Sequence, residues 1–182
     1  MASDYDTIME ALKSAGLDRL EALSREVKGF PDGVDSFIRR RWIRNAIDCG
    51  SKQAVEWMLR KGLDLNFRDE EGYTPLLCAI ERETEDRYEV LELLLAAGAP
   101  VNSKGINDWT PAHMAAARDD IKALDILIRH GADLSIRTEI DDYATPLEEA
   151  RHLGKVNIVR YLERRLISPG PDGADKGGAR IE

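Results

Sequence analysis

The sequence is poor in the patterns that mark membrane spans and disulfide frameworks. It has no run of about 18 apolar residues, so we predict no transmembrane helix. Its two cysteines, Cys49 and Cys78, fall in segments with helical spacing, and we expect buried, reduced thiols. The N-terminal segment carries Asp4 and Asp6 and no apolar stretch, unlike a secretory signal. These features predict a cytoplasmic protein.

Catalytic and metal-binding patterns are equally scarce. None of the histidines, His113, His130 and His152, stands at metal-ligand spacing from a cysteine or another histidine. No glycine-rich phosphate loop is present, and the Ser and Cys residues lack an evident base and orienting acid. Glu148 and Glu149 are consecutive and point in different directions on a helix, which argues against an acid/base pair. We expect no cofactor, no metal and no enzymatic activity.

What the sequence does contain is a segment that occurs three times. Thr74-Pro75, Thr110-Pro111 and Thr145-Pro146 begin 36 and then 35 residues apart. Each pair predicts the start of a short helix, with Thr as the cap and Pro in the first turn. A polar turn and a second helix rich in Leu and Ile follow, and Gly98 and Gly131 close two of these second helices. Helices this short are unstable alone, so the units must stack on one another.

This period and these motifs resemble the ankyrin repeat family, strongly over residues 40–166 and weakly before them. The resemblance implies an all-α solenoid of stacked helix-turn-helix units joined by β-hairpin turns, with about four repeats and a divergent N-terminal helical cap. The predicted boundaries are 1–38 for the cap, 39–167 for the repeat domain and 168–182 for a disordered tail. About three extra residues should lengthen the link at 81–88, and about two the turn at 140–144.

Charge is unevenly distributed along the chain. Residues 1–65 carry 11 acidic and 11 basic side chains, whereas residues 66–149 carry 19 acidic and 8 basic ones, a net charge of −11. Residues 150–182 contribute +3, which leaves −8 for the whole chain. Because an acidic surface repels phosphate backbones, we expect no nucleic-acid partner. Two interpretations of the acidity stay open: steering toward a basic protein partner, and solubility alone.

In ankyrin arrays the turns between repeats project as fingers, and the first helices line a concave groove; both usually bind partners. The resemblance therefore implies a partner-binding surface made of four groups: Asp69, Glu70, Glu71 and Tyr73; Ile106, Asn107, Asp108 and Trp109; Glu139, Asp141, Asp142 and Tyr143; and, at the groove ends of the first helices, Glu81, Arg82, Arg118 and Asp119. Aromatic side chains among carboxylates are typical of protein interfaces. The alternative for Tyr73 and Trp109 is packing over the next turn.

Several prominent residues have structural interpretations. His113 holds the Thr-Pro-x-His position, where histidines of this family usually connect neighbouring turns by hydrogen bonds. Trp42 and Trp57 lie on apolar faces and are predicted to belong to the core. The basic cluster Arg39–Arg41, with Arg44, predicts a solvated or ion-paired helix entry, with acidic fingers or an acidic partner as possible contacts.

The sequence therefore predicts a non-catalytic module, monomeric and without membrane contact, that binds a protein partner with a basic surface. Some small stand-alone ankyrin chains in bacteria are immunity proteins that neutralise toxins. An acidic face able to occlude a basic toxin would suit such an inhibitor. The alternatives are a regulatory adaptor or scaffold and, as the least favoured, an enzyme or enzyme accessory subunit.

Overall fold

The computed structural model describes residues 3–14, 16–139 and 143–167. Over these ranges the chain forms five consecutive pairs of α-helices and no β-strand, which confirms the predicted all-α solenoid. The pairs are α1 (Asp4–Lys13) and α2 (Leu17–Glu26), α3 (Trp42–Cys49) and α4 (Lys52–Arg60), α5 (Pro75–Glu81) and α6 (Arg87–Ala96), α7 (Pro111–Ala117) and α8 (Ile121–Arg129), and α9 (Pro146–His152) and α10 (Val156–Ile167). The predicted tail at 168–182 lies outside the described residues.

The helices form two layers. The first helices of the pairs make an inner layer in which α1, α3, α5, α7 and α9 each contact the next. The second helices make an outer layer in the same way, from α2 to α10. The N-terminal pair continues both layers, so it extends the solenoid at that end.

The Thr-Pro pairs start the inner helices as predicted. Pro75, Pro111 and Pro146 occupy the first turns of α5, α7 and α9. In α9 the N–H of Glu148 donates to Thr145 Oγ1 at 3.3 Å, and the Glu148 carboxylate accepts from the Thr145 N–H at 2.8 Å. This reciprocal pair satisfies two of the unpaired donors at the helix start.

The size of the buried side chains sets how closely neighbouring helices approach each other within a layer. In α7 the buried residues include Ala112, Ala115 and Ala116, whose small side chains allow the neighbouring inner helices to approach. The outer helices supply larger groups such as Leu94 and Leu127, which have no exposed surface. Burial of each such leucine stabilises the fold by about 2 kcal/mol.

The N-terminal repeats depart from the Thr-Pro pattern. Arg41 stands at the cap position of α3 and makes no side-chain capping bond. An aromatic cluster holds this end of the array instead: the Phe30 ring meets Trp42 edge-on at 5.5 Å and stacks on Trp57 at 5.8 Å. Both tryptophans are buried, which confirms that they belong to the core.

Candidate protein-interaction surface

Four turns precede α3, α5, α7 and α9, and because these helices stack side by side, the turns lie along one edge of the solenoid. We call them fingers 1 to 4. One backbone hydrogen bond closes each: Asp35 N–H to Arg40 C=O (2.8 Å) in finger 1, Asp69 to Tyr73 (3.0 Å) in finger 2, Gly105 to Trp109 (2.8 Å) in finger 3, and Thr138 to Ala144 (3.0 Å) in finger 4. The bond in finger 4 joins residues six positions apart, compared with four in fingers 2 and 3, because finger 4 contains two extra residues.

Fingers 2 and 3 pack against each other. A Cβ atom on Gly105 would lie 2.7 Å from the carbonyl oxygen of Gly72, which is too close for any other residue without a shift of the backbone. Gly72 itself has a φ of 88°, in the left-handed region. The two fingers therefore form a continuous surface.

The carboxylates of finger 2 are engaged inside the molecule. Glu71 accepts two hydrogen bonds from Arg40 Nη2, at 2.8 and 3.0 Å, and one from Arg44 Nη2 at 3.0 Å. Asp69 pairs with Arg44 Nη1. The hydrogen bonds from Arg40 lower the pKa of Glu71. Within the basic cluster, Arg40 and Arg44 form ion pairs with this acidic finger, as one of the predicted alternatives required. Glu70 and Glu71 are both exposed on this finger, and of these two Glu71 is the one that is ion-paired.

Tyr73 is half-buried between finger 2 and the groove. The guanidinium of Arg44 lies over its ring, 4.7 Å from the centroid. Burial raises the pKa of the Tyr73 hydroxyl, and the Glu81 carboxylate raises it further. Tyr73 packs against the core and also lines the groove, so its partner-binding role stays a prediction.

Finger 3 offers a mixed set of side chains. Asp108 is tied down, since its Oδ2 accepts from Lys104 Nζ at 2.9 Å and from the N–H of Glu139 at 2.6 Å. Asn107 is exposed at the tip, with a φ of 54°. Ile106 and Trp109 pack against the core but keep part of their surface in solvent.

Arg82 lines the groove, but its guanidinium is buried in the molecule and is not presented to a partner. Its side chain is 1% exposed, and its guanidinium donates to the carbonyls of Ile47 and Gly50 at 2.6 Å each. It also donates to both carboxylate oxygens of Asp86, at 2.9 and 3.0 Å. A cation at the C-terminal end of α3 satisfies carbonyls that have no helical partner. We therefore exclude Arg82 from the contact surface.

Asp119 also has an internal role that the sequence did not indicate. Its carboxylate accepts from the N–H of Ile158 at 2.9 Å and from Asn157 Nδ2 at 2.7 Å. The residue thereby connects the link after α7 to the start of α10. Its neighbour Arg118 is exposed at the end of α7, as predicted.

Finger 4 is described only in part. Tyr143 is 59% exposed, and Glu139 is exposed and accepts from Lys104 Nζ at 3.1 Å. The predicted contacts Asp141 and Asp142 lie outside the described residues.

An open groove of about 370 Å³ lies between the C-terminal ends of α3 and α5. Asp48, Glu81 and Glu83 bring carboxylates to it, and Tyr73 forms part of its wall. The cations that line it are Arg44 and Arg82, which already pair with carboxylates. The groove therefore presents acidic groups to solvent.

Ion pairs between neighbouring repeats account for much of the central acidity. Their partners stand 25 to 40 residues apart, near the repeat period, as in Arg44–Asp69, Arg40–Glu71, Lys52–Glu89, Arg87–Asp120, Lys104–Glu139, Arg129–Glu92 and Arg165–Asp125. Three of these cations, Arg40, Arg44 and Lys52, come from the electrically balanced first part of the chain. The uneven charge in the sequence is thus partly offset in the fold.

His113 connects neighbouring turns, as predicted. Its Nδ1 accepts from the Thr110 N–H at 3.2 Å, and its Nε2 donates to the carbonyl of Ala144 in finger 4 at 3.0 Å. Desolvation lowers the pKa of the imidazole, so the ring is neutral at physiological pH. Both ring nitrogens are occupied by structural bonds.

The two thiols are not paired with each other. Cys78 is buried and Cys49 is half-buried, and burial raises the pKa of both. Within the described ranges, no group of His, Cys, Asp and Glu is arranged to hold a metal ion. None of the helices in these ranges is long and apolar enough to cross a bilayer.

The sequence reasoning missed finger 1. Phe37 is 76% exposed at its tip, and Ile38 beside it is 46% exposed. The available signal was a pair of consecutive apolar residues that falls outside every helical pattern.

Stacked helix pairs joined by projecting turns are the architecture of a known family, and a comparison with family models identifies it. A model described as ankyrin repeats, in three copies, matches residues 8–105 and 85–170. The chain belongs to the ankyrin repeat family. Ankyrin repeats are protein–protein interaction modules, so this ankyrin array is one as well.

The array is also similar to parts of longer proteins. It is 33% identical over 162 residues to ankyrin repeat and KH domain-containing protein mask-1 of Caenorhabditis elegans, covering 88% of this chain and 6% of that protein. It is 31% identical over 133 residues to the mouse B-cell lymphoma 3 protein homolog, covering 70% and 29%. With the mouse RelA-associated inhibitor it shares 35% identity over 100 residues, covering 55% and 12%. The chain thus spans less than a third of each relative.

Proposed function

We propose that this ankyrin array binds a partner protein without catalysing a reaction, and that the groove between α3 and α5 receives a lysine or arginine of that partner. The observation that carries the proposal is the set of carboxylates of Asp48, Glu81 and Glu83 at one groove. Asp48 already pairs with Arg44 and Arg40, so Glu81 and Glu83 are the carboxylates that an entering cationic side chain would meet without displacing an existing cation. The groove thus favours a partner with a basic surface.

The local charge supports this choice. Acidic residues in and around the groove are Asp48, Asp69, Glu71, Glu81, Glu83 and Asp86, and basic ones are Arg40, Arg44 and Arg82. This excess of negative charge lies in a concave surface, where low-dielectric walls concentrate the field and raise the association rate of cationic partners.

Fingers 3 and 4 would supply the less polar part of the interface. Trp109 and Ile106 keep part of their surface exposed, Asn107 is exposed, and Tyr143 projects from finger 4. Aromatic side chains that are already held by packing lose little conformational freedom on binding, which makes them effective anchors. We call these residues, with Glu70, Tyr73, Glu81, Arg118 and the groove carboxylates, the finger–groove surface.

Inhibition by occlusion is the role that we favour for this binding, including neutralisation of a basic toxin in the cytoplasm. The acidic groove supports it, as does the similarity to a protein named RelA-associated inhibitor. The alternative is an adaptor, which the similarity to short parts of long proteins supports. An inhibitor abolishes the activity of its purified partner at equal concentration, whereas an adaptor leaves that activity unchanged.

The test uses the partner that the wild-type array captures from its source cells, purified and measured by surface plasmon resonance. The double substitution Glu81→Lys and Glu83→Lys should weaken this binding by about tenfold or more, mainly through slower association. Trp109→Ala and Tyr73→Ala should accelerate dissociation. Association of the wild type should slow steeply as salt is added.

Glu26→Lys is the control, because it makes the same type of substitution, with half of the total charge change, on the exposed end of α2 in the outer layer. It should leave the affinity within about twofold of wild type. Equal affinity for the groove variant and the control would refute the groove proposal. Association that does not respond to salt would show that the acidity serves solubility alone.

A further inference from the structure

Finger 1 exposes a cluster of apolar side chains. Val34 is 44% exposed, Phe37 76% and Ile38 46%. Three of the six large hydrophobic residues that are exposed in the described ranges therefore fall within five positions of one turn. Scattered exposed hydrophobics are ordinary, but a concentrated patch on a small surface marks an interaction site.

The finger is rigid because a buried carboxylate holds its backbone. Asp35 is 1% exposed and accepts from the N–H groups of Phe37 (2.9 Å), Ile38 (2.7 Å) and Arg40 (3.1 Å). Asn45 Nδ2 of α3 donates to it at 3.0 Å. Although burial alone would raise its pKa, these hydrogen bonds lower the pKa of Asp35, so the carboxylate stays charged.

The backbone at the tip of finger 1 is strained at one residue. Arg39 has a φ of 56°, in the left-handed region that disfavours side chains. The Phe37 ring lies 5.4 Å from the ring of Tyr5, a contact that still leaves most of the phenylalanine in solvent. Backbone strain and a desolvated carboxylate thus hold an apolar side chain outward, which is the arrangement of a preorganised anchor.

The charges near the tip indicate what this anchor meets. Arg40 pairs with Glu71, Arg44 pairs with Asp69 and Glu71, and Arg41 lies over the Phe67 ring at 5.2 Å. Arg39 is exposed next to Ile38. The tip therefore presents an aromatic ring, an aliphatic side chain and a cation that faces solvent.

We propose that finger 1 inserts Phe37 and Ile38 into an apolar pocket of the partner protein, and that a carboxylate at the rim of that pocket pairs with Arg39. This inference rests on the proposed function, because it gives the same partner a second contact. The partner surface would then be basic opposite the groove and acidic at the rim of an apolar pocket opposite finger 1. The separation of these charges would fix the orientation of the complex.

A protein fits this tip better than a membrane does. Glu71 of finger 2 pairs with Arg40 of finger 1 and so offsets positive charge that anionic headgroups would bind. One exposed arginine adds only about 1 kcal/mol of attraction to such a surface. A second copy of the chain is a separate outcome of the test below, because an open groove in the outer layer is lined by apolar residues such as Leu93 and Ile126 together with the carboxylate of Asp125.

The test begins with p-benzoylphenylalanine placed at position 37 in the full chain and illuminated in the source cells. The control places the same group at position 153, because Leu153 is also exposed (46%) but follows α9 at the other end of the array. A protein adduct specific to position 37 is expected. Its absence would overturn the proposal.

The cross-linked protein is then purified and used as the binding probe. Phe37→Ser should weaken its affinity about 30-fold, as for an anchor residue, and Arg39→Glu should weaken it and slow association. Leu153→Ser should stay within about twofold of wild type. Since the Phe37 ring is mostly exposed, urea unfolding of Phe37→Ser should match wild type, which separates lost contact from lost stability.

The remaining outcomes distinguish the finger 1 proposal from the groove proposal and from other occupants of the tip. Unchanged affinity of Phe37→Ser, together with loss in the Glu81→Lys/Glu83→Lys variant, would overturn the finger 1 anchor while the groove proposal stands. The reverse pattern would support finger 1 and refute the groove. Co-sedimentation with phosphatidylserine vesicles that Phe37→Ser abolishes would assign the tip to a membrane. A dimer in light scattering that Phe37→Ser dissociates would assign it to self-association.

Discussion

Replacing Arg82 by methionine tests whether this residue supports the stacking of repeats from within. Methionine keeps an unbranched apolar stem and removes the guanidinium. The carbonyls of Ile47 and Gly50 at the end of α3 would each lose a 2.6 Å charge-assisted hydrogen bond. Asp86 would lose a bidentate partner.

The size of the effect follows from burial. Removing one partner of a buried ion pair costs about 3–5 kcal/mol. Asp86 is 27% exposed and can regain water, and the adjoining groove lets water reach the carbonyls, so the lower end applies. We expect Arg82→Met to lower the free energy of unfolding by about 3 kcal/mol. For a chain of this length that corresponds to a fall in Tm of about 6–12 °C.

Urea unfolding, followed by the fluorescence of the buried Trp42 and Trp57, measures this change close to α3. The matched control is Arg118→Met, because Arg118 stands at the same end position of α7 but is exposed. It should change stability by less than about 0.5 kcal/mol. If Arg82→Met were as stable as this control, the assigned role of the guanidinium would be wrong.

Three further predictions concern titrating groups. Because desolvation lowers the pKa of His113, the unfolded chain binds its proton at higher pH, so stability should fall as pH drops from about 7 to 5. The His113→Gln variant should be less stable than wild type at neutral pH, but its stability should not fall between pH 7 and 5 when measured by urea unfolding. The same dependence on pH in the variant would contradict this prediction. Bonds from Thr145 and Arg137 lower the pKa of Glu148 to about 2, so its contribution is present above its ordinary pKa and is lost as pH falls toward about 2. The stability of Glu148→Ala should therefore fall less steeply than that of wild type as the pH is lowered. An equally steep fall would contradict the role given to Glu148. Cys78 should resist thiol reagents until the chain unfolds, as mass spectrometry can follow, and rapid labelling of the folded protein would argue against its burial.

The fold could be predicted where its signals are local. Thr-Pro pairs mark the starts of α5, α7 and α9 because cap and first turn are adjacent in sequence. The start of α3 could not be placed in this way, since Arg41 gives it no cap. There Asp35 accepts from Asn45, which stands ten positions further along the chain. A contact of this kind has no motif in a single sequence.

The site was less predictable because its chemistry depends on neighbours across repeats. Arg82 and Arg118 hold the same position at the ends of α5 and α7, yet one is buried and the other exposed. The difference comes from the longer link at 82–86, which supplies Asp86, and from the carbonyls of α3 that Arg82 reaches. Likewise, Asp69 and Glu71 look available in sequence, but Arg44 and Arg40 of the preceding repeat neutralise them.

The ion pair between Arg44 and Asp69 makes the order of the repeats matter. If one period of 36 residues were deleted after α4, Arg44 would face Gly105 and Asn107 in place of Asp69 and Glu71. Its buried guanidinium would then keep only Asp48 of α3 and would lose both carboxylates of the following finger, which would destabilise the junction. Although the repeats share one architecture, they are not interchangeable parts. The number of units in this array can change only together with the residues at their junctions.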